Sequence, residues 1–170
     1  PAERALFLAL NRRGIRFVII GMGAAMLEGA PVTTQDLDVW LEDATAQDLR
    51  LAATDAGGFW ISGFGMQPPS FGGPGLERLD VVLTAHGLSA FDVEYASTFS
   101  VEIEGAVLRV LPLDRIIASK RAIGRAKDQA QMPILEATLA AKRANFCLRR
   151  RYGWGFFAWI GRDRAALLQR

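Results

Sequence analysis

Phe17-Val18-Ile19-Ile20-Gly21-Met22-Gly23-Ala24-Ala25-Met26-Leu27-Glu28-Gly29-Ala30-Pro31 leads, through Val32-Thr33-Thr34-Gln35, to Asp36-Leu37-Asp38-Val39-Trp40. Residues 15–20 are apolar, β-branched and bounded by glycines, which suits a short buried strand. Residues 24–28 have room for only a brief helix before Gly29, Ala30 and Pro31 break it. Residues 36–41 alternate acid and apolar side chains, the pattern of a strand with one polar and one apolar face. Working outward, residues 2–13 read as a helix stopped at Gly14, and residues 44–56 as a second stopped at Gly57 and Gly58. The Gly- and Pro-rich residues 62–76 read as a loop, either a lid or a hairpin tip. Residues 79–83 and 101–111 read as strands, the latter turning at Glu104-Gly105, and residues 113–123 and 127–144 as helices around Gly124. This order of mixed strands and helices predicts an α+β or α/β domain, α+β being the reading taken, with helices gathered at its C-terminal end.

On a strand, residues i and i+2 share a face with Cα atoms ~6.5–7 Å apart, so Asp36 and Asp38 project together while Leu37 and Val39 enter the core. Neighbouring carboxylates repel unless a cation neutralises them. Oxygen-only donors at this spacing suit Mg²⁺ or Mn²⁺ better than zinc. Asp80, inside Arg78-Leu79-Asp80-Val81-Val82-Leu83, is a third acid on a second apolar strand. If the two strands are neighbours, three carboxylates converge and can hold one or two divalent ions for displacement at phosphorus. The plain alternative is a pair of acids on a solvent-facing strand. The glycine turn at Gly21-Met22-Gly23 favours the sharper reading, because free N–H groups at a helix start attract phosphate.

The same glycines suggest a dinucleotide-binding fingerprint, but that motif opens a full crossover helix and carries its acid at the end of the next strand. Here the helix ends by Pro31 and the acids begin their strand.

Composition bounds the rest. The 170 residues are 51% hydrophobic and 22% charged, enough for one domain with its own core. One Cys (Cys147) and one His (His86) exclude a disulfide framework and a His- or Cys-rich metal centre within the chain, and suit a reducing cytoplasm. The longest apolar run, residues 17–27, is too short to cross a bilayer. The net charge of +2 conceals a division. Residues 142–170 hold eight of the 20 basic residues and one of the 18 acids, a charge of +7 against −5 for the remainder. Arginines interleaved with Tyr152, Trp154, Phe156, Phe157 and Trp159 could hold RNA by phosphate contact and stacking. Alternatively these aromatics pack on the domain or on a second subunit, which is the reading we prefer. The division expected is a domain over 1–145 and a basic, aromatic tail over 146–170. His86, at Ala85-His86-Gly87, reads as a surface residue.

The strand, glycine turn and Asp36-Leu37-Asp38 resemble the start of the nucleotidyltransferase superfamily of the DNA polymerase β type. They are most similar to its small bacterial branch of minimal nucleotidyltransferases and abortive-infection toxins. Leu113-Asp114-Arg115-Ile116-Ile117-Ala118-Ser119-Lys120 and Gly124-Arg125-Ala126-Lys127-Asp128 resemble the later helix of that family. The resemblance covers about residues 15–140 and implies a mixed twisted sheet flanked by helices. It implies that Asp36 and Asp38 bind Mg²⁺ or Mn²⁺ with a nucleoside triphosphate, and that Asp80 completes the site and helps deprotonate an acceptor hydroxyl. Gly21 and the amides of Met22 and Gly23 would hold the β- and γ-phosphates, with Lys120, Arg125 and Lys127 as further phosphate or acceptor contacts. An RNA or protein acceptor, an antitoxin and a second copy of the chain are the implied partners. Three residues depart from the family pattern. Met22 replaces a small residue, and Glu28 and Val32 replace a His and an Arg, which should weaken anion binding. A catalytically weak relative that binds nucleotide, RNA or a partner is the second expectation.

Overall fold

The computed structural model describes residues 2–43 and 47–145. A first compact unit spans Pro1–Leu135. Helix α1 (Ala2–Arg12) buries Leu6, Phe7, Ala9 and Leu10. It ends where Gly14 takes a left-handed φ of 66° and Ile15 N–H donates to Leu10 O at 3.0 Å. Strand β1 (Phe17–Ile20) runs directly into α2 (Gly21–Leu27), then β2 (Leu37–Leu41) and α3 (Gln47–Asp55) follow. The helix after β1 thus starts at Gly21, three residues before the sequence suggests, because both glycines belong to its first turn.

Strands β3 (Phe59–Ile61) and β4 (Ser70–Gly72) pair antiparallel, and β5 (Leu79–Val82) follows. The Gly- and Pro-rich segment is therefore a hairpin tip whose far side is a strand, not a loop throughout. Trp60 and Phe71 meet edge to face across it, ring centres 4.8 Å apart. Helix α4 (Phe91–Ser97), which nothing in the periodicity announces, precedes β6 (Phe99–Ile103) and β7 (Ala106–Val110). These last two form a hairpin through Glu104 and Gly105, whose φ values of 49° and 85° give the two-residue turn that matches strand twist. Helix α5 (Leu113–Ile123) closes at left-handed Gly124, and residues 126–145 form α6.

The main sheet is mixed, in the order β5-β2-β1-β7-β6. The pairs β2·β5 and β1·β7 are parallel, whereas β1·β2 and β6·β7 are antiparallel. Val18, Ile19, Val39 and Val110 lie fully buried in its central strands, and Leu6, Leu10, Leu49, Ala52 and Ala53 bury helices α1 and α3. The α+β expectation holds, with the central strands as read. No helix among the described residues is long and apolar enough to cross a membrane. The basic, aromatic residues 146–170 lie outside the described residues, as does Cys147.

Candidate active site

Three strand ends carry the site. Ile20, the last residue of β1, pairs with Asp38 of β2, and Asp38 pairs in turn with Asp80 of β5. Adjacent strands lie ~4.8 Å apart, and paired residues point to the same face. Asp38 and Asp80 are thus direct neighbours, as the sequence required if their strands were adjacent. Pairing extends back beyond Asp36, since Arg78 O accepts from Leu37 N at 2.7 Å and Arg78 Nε donates to Gln35 O at 2.5 Å. Thr34 Oγ1 also donates to Asp36 O at 2.9 Å, fixing the approach to β2.

The two glycines of the turn do different work. Gly21 has φ of 64°, and a Cβ there would collide with Asp38 Oδ2, so this glycine lets the carboxylate lie against the start of α2. A Cβ on Gly23 would meet Leu37 Cδ1 at 2.5 Å. Gly23 is buried against β2 and does not line the cavity, unlike Gly21 and Met22. Met22 itself is only 9% exposed and packs into the interior.

A cavity of about 360 Å³ opens over these strand ends, walled by Gly21, Asp36, Asp38 and Asp80 on the sheet side. Opposite in sequence, Ile116, Ser119, Lys120 and Ile123 line it from α5. Their spacing of three and four residues is one helical stripe. Arg125, Lys127, Asp128 and Gln131 continue the wall. All nine residues singled out from the sequence except Gly23 therefore reach one cavity.

Its electrostatics are opposed and local. Burial, first, and then the charges of Asp80 and Asp36 hold the Asp38 carboxyl above the usual carboxylate range, while Lys120 and Lys127 act in the other direction. Lys120 Nζ donates to Asp128 Oδ1 at 2.7 Å and to Gln131 Oε1 at 2.9 Å. The side chains of this ion pair are 12% and 5% exposed, so it is held largely away from water. Asp128 Oδ2 is buried with no hydrogen-bond partner.

The donor set fits a divalent cation in kind: hard carboxylate oxygens, two of them in register, with the central one destabilised as an anion by burial and then by its neighbours. Among the described residues no three His, Cys, Asp or Glu side chains already stand as a closed ion-holding cluster. The acids therefore supply a paired carboxylate with Asp36 beside it, not a preformed cage.

Sequence reasoning missed several cavity residues. Thr33, Thr34 and Thr84 carry no motif, and Ser119, inside the α5 stretch, was not singled out there; the folded chain brings all four to the cavity. His86 is exposed, as expected, yet it lines this cavity. Its isolation as the single histidine was the one available signal. Glu28, singled out as a departure from the family pattern, has a structural role. Its Oε1 accepts from Leu113 N at 3.0 Å, so the carboxylate caps the start of α5.

No family model and no curated protein matches the chain. Solved structures do. The antibiotic-resistance factor ANT(2'')-Ia in solution is 16% identical, with a TM-score of 0.54 over 96% of each chain. The crystal structure of ANT(2'')-Ia with adenylyl-2''-tobramycin is 16% identical, with a TM-score of 0.53 over 88% of this chain and 95% of that one. An antigenic nucleotidyltransferase-like protein from Paracoccidioides brasiliensis is 20% identical, with a TM-score of 0.54 over 82% and 75%. With its mixed sheet, paired carboxylates and flanking helices in place, the chain has the nucleotidyltransferase fold.

Proposed function

We propose that this cavity transfers a nucleoside monophosphate group from a nucleoside triphosphate to an acceptor hydroxyl. The observation that carries the reading is the register of Asp38 with Asp80, beside Gly21 and within one cavity with Lys120. Asp36, Asp38 and Asp80 would hold Mg²⁺ or Mn²⁺. Bound there, such a cation would offset the triphosphate charge and the charge developing on the transferring phosphoryl group. Asp80, exposed at the sheet edge, accepts the proton of the attacking hydroxyl. The acceptor oxygen bonds to the α-phosphorus, the bond to the bridging oxygen breaks, and pyrophosphate leaves with that electron pair. Gly21, which lets the Asp38 carboxylate stand against the start of α2, would face the phosphates, and Lys120, Arg125 and Lys127 would balance their charge. Asp128 and Gln131 hold the Lys120 ammonium in place, making them positioning residues. The acceptor belongs to one of three classes: RNA, protein or a small hydroxylated molecule. An antitoxin or a second copy of the chain remains the partner that the family resemblance implies, within a cytoplasmic setting.

A second reading, a nucleotide-binding module without transfer, draws on Lys120. Its amine is already engaged by Asp128 and Gln131, and a lysine so held suits a fixed charge better than one that follows the reaction. Calorimetric titration with a non-hydrolysable nucleoside triphosphate and Mg²⁺ tests the binding common to both. Lys120→Ala should weaken affinity by about tenfold, the scale of one charge-assisted contact. Equal affinity in wild type and Lys120→Ala would remove the triphosphate from this wall.

A further inference from the structure

The cavity is not charged throughout. Beyond the carboxylates, residues 84–88 lie against the α5 stripe, and Ala85, Leu88, Ile116 and Ile123 make this part of the wall apolar. The imidazole of His86, the hydroxyls of Thr84 and Ser119, and Lys120 interrupt it.

Several contacts fix this turn. Ser119 Oγ donates to His86 O at 2.7 Å, and Leu88 N donates back to Ala85 O at 3.3 Å. Gly87 has φ of 75°, and a Cβ there would collide with Ala122, so the turn sits as close to α5 as a backbone can. On its far side, Ser89 N donates to Glu94 Oε1 at 2.8 Å. Glu94 is 2% exposed and ion-paired with Arg115, one turn before Ser119 on the same helix. A buried carboxylate thus joins the turn, α4 and α5. The His86 main chain is held at both flanks while its side chain stays exposed at the cavity wall.

We propose that this part of the cavity receives the nucleobase, and that His86 is the residue that contacts it and sets which base is preferred. The inference rests on the triphosphate reading given above. A nucleoside triphosphate has a strongly anionic end and a flat, largely apolar ring with hydrogen-bonding edges. The cavity lining carries both chemistries in one space: Asp38, Lys120 and Lys127 supply charge, and Ala85, Leu88, Ile116 and Ile123 supply apolar surface on either side of Lys120 along α5 and on the turn packed against it. Apolar side chains can cover the ring faces, while an imidazole can donate or accept at a ring edge or stack on it. Held backbone contacts limit the entropy lost when the imidazole engages the base.

Because His86 is the only histidine, its imidazole signals in a tag-free chain can be followed by NMR without assignment ambiguity. The full chain is titrated, with Mg²⁺ present, by each of four α,β-methylene nucleoside triphosphates and, separately, by inorganic tripolyphosphate. Calorimetry on the same samples reports binding independently. The expected result is a His86 shift with at least one nucleotide and none with tripolyphosphate. Alongside it, His86→Ala should weaken nucleotide binding about tenfold without changing tripolyphosphate affinity. His86→Gln, which keeps a hydrogen-bonding edge, should alter the order of preference among the four bases. Nucleotide binding with a silent His86 would overturn the inference and leave the triphosphate reading intact. Equal shifts with tripolyphosphate would make His86 a phosphate contact and also overturn it. Absence of nucleotide binding in calorimetry would overturn both.

Discussion

At Asp38 burial and repulsion act on one carboxyl. The side chain is half-buried, lies against Gly21 and faces Asp80 across the strand pair, so its anion is disfavoured in the folded chain. A raised folded pKa means that folding loses stability as pH rises from the unfolded carboxyl range through the folded value, and the loss is complete above it. Asp38→Asn should therefore raise the melting temperature at neutral pH, by about 2–4 °C for each kcal/mol relieved. The gain should vanish below about pH 4, where unfolded aspartate itself is protonated. Added Mg²⁺ should raise the melting temperature of the wild type and leave Asp38→Asn nearly unmoved; thermal scans across pH with and without Mg²⁺ check both. A wild type more stable than Asp38→Asn at pH 7 without metal would contradict this account. The acids themselves were legible because alternation along a strand needs only local sequence. The Lys120–Asp128 ion pair was not, since it bridges α5 and α6 across the left-handed Gly124.

Helix α4 shows why an element can be hidden. Ala90-Phe91-Asp92-Val93-Glu94-Tyr95 lacks a clear apolar stripe, and the one side chain of α4 that is fully buried is Glu94. What holds the helix is tertiary: Phe91 meets Trp40 edge to face at 5.0 Å, and Arg115 pairs with Glu94. Periodicity cannot see a buried acid, because the arginine that makes burial tolerable lies 21 residues away. Strands β3 and β4 were likewise obscured, being three residues each and defined by their mutual pairing. By contrast β1, β2 and β5 are continuous apolar or alternating runs. The Arg115 hydrogen bonds, most of all, keep the Glu94 carboxyl below the ordinary range. Its contribution is then present above the unfolded carboxyl pKa and is lost as pH falls through the folded value. Glu94→Gln should cost about 2 kcal/mol at pH 7, less than a fully buried pair because Arg115 remains partly in water. Urea unfolding at pH 7 and again near pH 3 checks it, with the difference from wild type shrinking at the lower pH. An unchanged difference would show that the pair's charge is not what binds α4 to α5.

Across the whole molecule, charge is divided between an acidic body and the +7 of residues 142–170. The cavity lies within the first compact unit, and its carboxylates account for part of the acidic excess. Residues 15–41 and 79–83 made the fold readable, because a strand, a glycine turn and spaced acids are determined by short-range rules. The cavity's apolar part was not readable, since it is assembled from a turn after β5 and one stripe of α5 that meet only in the folded chain. Nucleotidyl transfer is the claim on which these features converge. It is tested most directly by incubating the chain with Mg²⁺, nucleoside triphosphates labelled at either the α- or the γ-phosphate, and separated RNA, protein and small-molecule fractions of a cell extract. Label from the α-phosphate, and none from the γ-phosphate, should become attached to one fraction, and Asp38→Ala should abolish it. Transfer of γ-label alone, or no α-label transfer by folded, nucleotide-binding wild type, would contradict the account.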